Sequence, residues 1–241
     1  MKILIIRHGD PDYSIDSLTE QGKIEAELLS QKLCKLDIKE FYVSPLGRAR
    51  DTAAYTLKKM NRTATVCEWL KEFPPTINRP DRKHSVAWDW LPQDWTTVED
   101  FYSRTEWGKN PVMAEGNVFT EYQRVTTEFD KLLAKHGYVR SDRAYKAVNA
   151  NEDTIAFFCH FGVECVLLSH LLSISPMPLW HGLCAAPSSV TTLTTEERRK
   201  GIAYFRMSSF GDISHLYAGG EEPSFAARFC ETYDNAEQRH D

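Results

Sequence analysis

The first 70 residues set strands and helices in alternation, and that order leaves the chain very few architectures. Lys2 to Ile6 is an apolar run of strand length, and Leu18-Thr19-Glu20 opens a helical pattern with apolar residues at Ile24, Leu28, Leu29 and Leu33. Thr19 is the predicted N-cap of this helix, and Gly22 is a mild cost to it. Phe41 to Val43 is a second short strand. Ser44-Pro45 then starts a helix in cap-then-proline order, with small or apolar residues at Ala49, Ala53, Ala54 and Leu57. Thr63 to Cys67 reads as a third strand. Such an alternation predicts a parallel sheet with right-handed crossovers, whose ligands bind beyond the carboxyl ends of the strands.

From about Pro74 to Asn151 the character changes. Pro74-Pro75, Pro80, Pro92 and Pro111 break the pattern, and Trp88, Trp90, Trp95 and Trp107 fall within 20 residues. This segment reads as a helical insertion or lid over the carboxyl edge of the sheet, with helical period regained from Val118 to Leu133. The sheet resumes with Thr154 to Cys159, a helix over Val163 to Leu172, and strand-like runs at Ser189 to Leu193 and Ile202 to Met207. The expected architecture is one domain over residues 1–241, a three-layer α/β/α fold with a mostly parallel central sheet. The polar tail after Ala218 is expected to fray.

Composition narrows the function. With 29 Lys and Arg against 34 Asp and Glu, the net charge is −5, so no global basic field exists to hold a nucleic acid or an anionic membrane. Apolar runs fall far short of a membrane span, and the N-terminal one is too short for a signal peptide, so a cytoplasmic address is expected. The six cysteines (34, 67, 159, 165, 184 and 230) include no Cys-x-x-Cys pair and read as reduced thiols, Cys159 and Cys165 as packing residues. His84, His136, His170, His181 and His240 show no ligand spacing, so neither metal nor other cofactor is expected.

The chemistry-bearing residues gather where the predicted strands end. Arg7-His8-Gly9 follows the first strand, Ser44-Pro45-Leu46-Gly47-Arg48-Ala49 the second, Leu70-Lys71-Glu72 the third, and His160 with Gly162 follows Thr154 to Cys159. Two arginines, two histidines and a carboxylate thus share one sheet edge. Glu68 and Asp81 compete with Glu72 as the acid. Ser209 to His215 is a further candidate rim segment, from which His215 could reach the site.

These motifs together resemble the histidine phosphatase superfamily, the phosphoglycerate mutase-like family, over roughly residues 1–73 and 152–217. The resemblance implies a phosphoglycerate mutase-like fold and a phosphohistidine mechanism. His8 would be the nucleophile. Arg7, Arg48 and His160 would bind the equatorial phosphoryl oxygens, with His215 at the rim. Glu72 would protonate the leaving alkoxide and then take a proton from the hydrolytic water, giving an acidic to neutral optimum. Three departures bear on the substrate. Asp10-Pro11 follows Arg-His-Gly where the family often has Glu or Gln before Ser or Thr, so a hydroxyl contact to phosphate is lost or is supplied by Tyr13 or Ser14. The mutase-type Asn and Phe-x-Gly-Trp segment is absent, and Glu164-Cys165-Val166 stands where an arginine is often found. The expected activity is a histidine acid phosphatase-like, metal-independent phosphomonoesterase acting on a small phosphorylated metabolite or phosphoester. The rivals are a phosphoglycerate mutase-type phosphotransferase and a catalytically weak phospho-ligand-binding protein. Interleaving of the tryptophans with Arg79, Arg82 and Lys83 makes that segment lid core or, alternatively, a platform for an aromatic or anionic substrate.

Overall fold

Four successive aliphatic residues with no polar alternation need cover on both faces of a strand. The computed structural model supplies it to β1 (Lys2–Arg7): Ile3 and Ile5 enter one apolar cluster, Leu4 and Ile6 another. Residues 1–225, 228 and 230–238 are described. After β1 come α1 (Glu20–Leu33), β2 (Ile38–Val43), α2 (Gly47–Met60), β3 (Thr65–Val66), α3 (Val118–Lys135), β4 (Tyr138–Ser141) and β5 (Ala144–Ala147). The chain closes with β6 (Thr154–Cys159), α4 (Phe161–Leu172), β7 (Val190–Arg199), β8 (Ile202–Asp212) and α5 (Ser214–Gly219). These strands form one mixed sheet in the order β3-β2-β6-β1-β7-β8-β5-β4. Its core, β3-β2-β6-β1, is parallel, and the pairings beyond β1 are antiparallel.

Each face of the sheet has its own core. Leu29 and Leu33 of α1 and Ala49 and Ala53 of α2 pack on Leu4, Ile6, Phe41 and Phe158, while Phe129 of α3 and Val163 and Val166 of α4 cover Ile3, Ile5 and Phe157 on the other side. Burying a side chain such as Phe157 contributes about 1.5–3 kcal/mol, so this period-2 division of the strands holds the three layers together. Thr19 caps α1 as expected, accepting from the Gly22 N–H at 3.0 Å.

Several local expectations are corrected. Ile24 lies on the exposed side of α1, and the buried side carries Glu25 instead. Helix α2 begins at Gly47, two residues after Pro45, because its first turn is capped from elsewhere: Asp16 Oδ2 accepts the Gly47 N–H at 2.7 Å. The third strand shrinks to Thr65–Val66, paired on one side only. The segment from 74 to 151 is helical only in part. Up to Gly116 it makes short helical turns and a two-stranded ribbon joining Thr76–Ile77 to Ser85–Val86, while from Val118 it forms α3 and then the β4–β5 hairpin, which extends the central sheet. Part of the tail expected to fray after Ala218 is tied back, since the Ser224 hydroxyl donates to Asp10 Oδ1. His240 lies outside the described residues. No helix among those described is long and apolar enough to cross a membrane.

Candidate active site

Register brings the motifs together. Arg7 lies opposite Cys159 and Phe158 opposite Val43, so the residues that follow, His8, His160 and Ser44, leave three neighbouring parallel strands at the same level. The rings of His8 and His160 stand 5.0 Å apart, both buried. His8 Nδ1 is 2.7 Å from the Gly9 carbonyl oxygen. A carbonyl only accepts, so Nδ1 carries the proton and Nε2 keeps a free lone pair. Toward that lone pair points Arg48 Nε, at 3.4 Å. Burial, then Arg7 and Arg48, push the His8 imidazole well below its usual range, which keeps it neutral.

Cations surround this lone pair. Arg48 sits in the first turn of α2 and is held by Asp16, whose Oδ1 accepts from Nη1 at 2.6 Å. The ring of Tyr13, 68% exposed, lies 5.4 Å from the Arg48 guanidinium. Ser14 turns away, donating to Asp12 Oδ1 at 2.6 Å. Arg7 is buried and donates through Nη1 to the Ala185 carbonyl, leaving its Nε without a partner. The N-cap expected at Ser44 does other work: Leu46 N–H donates to its Oγ, which meets His160 Nε2 at 2.8 Å. Nδ1 of His160 is left buried without a partner. Burial, then His8, Arg48 and Arg7, also push the His160 imidazole down.

Three carboxyls feel the charge of Arg7. Glu72 Oε1 accepts from the N–H groups of Phe73 at 2.8 Å and Val163 at 3.1 Å, and burial raises its pKa against those bonds and Arg7. Gly162 makes this possible, because a Cβ there would stand 2.7 Å from Glu72 Oε1 and 2.7 Å from the Trp88 indole nitrogen. Glu164 on α4 and Glu25 on α1 are buried, and burial pushes each up to about 7 although Arg7 favours the charged form. Glu25 accepts from the Asp10 N–H at 2.8 Å, and Thr52 Oγ1 accepts from Gly9 N–H at 2.9 Å, so both helices grip the loop bearing His8.

Arg7, His8, Arg48, His160 and Glu72 thus converge. His215 does not join them directly. It is buried, its Nε2 lies 3.0 Å from Ser188 Oγ, and the Ser188 backbone N–H donates to the His8 carbonyl. Glu68 and Asp81, the rival acids, pair with Lys71 and Arg79. Among the tryptophans, Trp90, Trp95 and Trp107 are core, and Arg79 is neutralised by Asp81 and Asp89, while Arg82 and Lys83 are exposed. His181, stacked on Trp95, has both ring nitrogens engaged by backbone. Sequence reasoning missed Glu25, Glu164 and Thr52. A signal existed for the first two, each a carboxylate on an otherwise apolar stripe: Glu25 with Ala26, Leu29 and Leu33, Glu164 inside Val163 to Leu168.

Comparison with known proteins identifies the family. Residues 3–207 match the histidine phosphatase superfamily (branch 1). A probable phosphatase of Schizosaccharomyces pombe is 40% identical over 90% of this chain and 95% of its own. The mitochondrial serine/threonine-protein phosphatase Pgam5 of Caenorhabditis elegans is 27% identical over 89% of this chain, which spans only 63% of that relative's length. Among solved structures, a phosphoserine phosphatase of Entamoeba histolytica in complex with phosphoserine superposes with a TM-score of 0.59 at 18% identity, covering 89% of this chain and 98% of the other.

Proposed function

The chain belongs to the histidine phosphatase superfamily, and from that premise we propose that it is a metal-independent phosphomonoesterase whose nucleophile is Nε2 of His8. The observation that carries this reading is the tautomer of His8: Nδ1 is tied to the Gly9 carbonyl, so the Nε2 lone pair faces Arg48, beside His160, whose Nδ1 is unpartnered. In the first step that lone pair forms an N–P bond, the P–O ester bond breaks, and the leaving alkoxide takes the proton of Glu72. Arg7, Arg48 and His160 take the equatorial oxygens, where negative charge is greatest. In the second step Glu72 removes a proton from water, the water oxygen attacks phosphorus, and the N–P bond breaks to regenerate neutral His8 and release inorganic phosphate. His215 acts behind the site, through Ser188, to fix the His8 backbone.

The test is release of inorganic phosphate from an aryl phosphate in the presence of EDTA. Activity in the wild type and its loss by at least about a thousandfold in His8→Ala are expected. Activity that vanishes with EDTA, or that survives in His8→Ala, would overturn the reading.

A further inference from the structure

The scheme leaves open which side of the pocket receives the group that departs, and the position of Glu72 decides it. The carboxyl that protonates the leaving oxygen stands on Gly162, and the Trp88 indole packs against the same glycine. Trp88 is anchored there by its Nε1–H, which donates to the Phe73 carbonyl at 3.0 Å. Phe161, which directly follows His160 and opens α4, meets Trp88 edge-on at 6.4 Å between ring centroids. Both rings are only partly buried. The surface beside the proton donor is therefore aromatic.

Charge on this side points the same way. Arg48 is paired with Asp16 and Arg79 with Asp81 and Asp89, and Arg7 is buried with its Nη1 on the Ala185 carbonyl. None of these arginines is left for a second anionic group on the substrate, and a carboxylate placed against the two rings would give up water without gaining any of these cations. We propose that Trp88 and Phe161 form the leaving-group subsite and that this enzyme selects phosphomonoesters whose alcohol is aromatic and uncharged over those carrying a carboxylate. The selection acts through apolar burial and ring contact on one side and unpaired charge on the other.

This inference rests on the phosphatase reading, so its test includes a binding arm that needs no turnover. Calorimetry on the full chain compares benzylphosphonate, phosphonoacetate and inorganic phosphate, and kinetics compare 2-phenylethyl phosphate with 3-phosphoglycerate, whose leaving groups are both alkoxides. Benzylphosphonate should bind at least about tenfold more tightly than phosphonoacetate, and kcat/KM should favour the phenylethyl ester by a similar factor or more. Trp88→Ala should erase most of that preference, read as the ratio of the two phosphonate affinities and of the two kcat/KM values. Phe161→Leu, which keeps an apolar side chain, should reduce the preference and serves if Trp88→Ala does not fold. Equal or tighter binding of phosphonoacetate would overturn the subsite with the phosphatase intact, as would a uniform loss for all substrates in both variants. No binding of any probe together with no phosphate release would overturn both readings.

Discussion

Glu72 must be an acid in one step and a base in the next, and its surroundings suit both. Burial raises it, favouring the protonated form, while the Phe73 and Val163 N–H groups and Arg7 support the carboxylate. His8 is pushed well below its usual range, so it stays neutral far into the acid. The active window then runs from below ordinary histidine pKa values up to the raised pKa of Glu72, and activity falls as pH rises through the latter. Glu72→Gln should remove that upper limb. It should also lower kcat on alkyl phosphates by about 10²–10⁴-fold, the usual worth of general acid–base help. With 4-nitrophenyl phosphate, whose leaving group needs no proton, a stoichiometric burst followed by slow turnover is expected, because hydrolysis of phospho-His8 still lacks its base. A variant with wild-type pH dependence would show that another group is the acid. Arg7, His8, Arg48 and His160 were legible in the sequence because motif and strand end coincided. Glu25 and Glu164 showed only as carboxylates on apolar stripes, since what matters in them is the cost of burying a carboxyl, and burial is a property of the packed helix.

Helix α1 shows how an element can accept a poor local residue for the sake of a close approach. Gly22 reads as a loss of helix propensity worth about 0.8–1 kcal/mol against alanine. In the fold, however, a Cβ at Gly22 would overlap the Asp10 carbonyl oxygen and stand 3.0 Å from Asp10 N, and a Cβ at Gly9 would stand 2.8 Å from Gly22 O. Backbone packs on backbone here, directly behind His8. Overpacking costs about 1–3 kcal/mol, more than the propensity returned, so Gly22→Ala should lower Tm by a few degrees and reduce kcat by displacing the His8 loop. A rise in Tm, seen by thermal unfolding, would mean that propensity wins. The elements with long, regular patterns were legible: β6 runs over Thr154–Cys159 as read, and α1 begins after its Thr19 cap. The β4–β5 hairpin was not, because its strands are four residues each and turn on Asp142 at positive φ, with no Gly or Pro to mark the corner. Helix α2 started late for a related reason, its cap coming from Asp16, 31 residues away in sequence.

For the whole molecule, the same buried groups tie stability to pH from two directions. His8 and His160 are held well below their usual 6.5, and His215 is held down to about 4, in each case first by burial. Such groups stay neutral in the fold while the unfolded chain takes up protons, so their contribution is lost as pH falls below about 6.5. Glu25 and Glu164 run the other way. Raised from 4.5 to about 7, they contribute fully below 4.5, and that contribution is lost as pH rises through 7. Between 4.5 and 6.5 the two sets oppose each other, and above 6.5 the carboxyls act without the histidines. From pH 6.5 to 8 they should therefore remove about 2 kcal/mol together, a few degrees of Tm for a chain of this size. Glu164→Gln keeps the shape of the side chain and cannot ionise, so its Tm should fall less far than that of the wild type over that interval. Inorganic phosphate, by binding the cations of the folded site, should raise Tm at each pH and should do so less in the alkaline range, where ionised carboxyls compete for Arg7. A wild-type Tm that is flat from pH 6.5 to 8, or a Glu164→Gln profile parallel to it, would mean that Glu164 is ionised throughout and that Arg7 arrives at the phosphoryl group already paired.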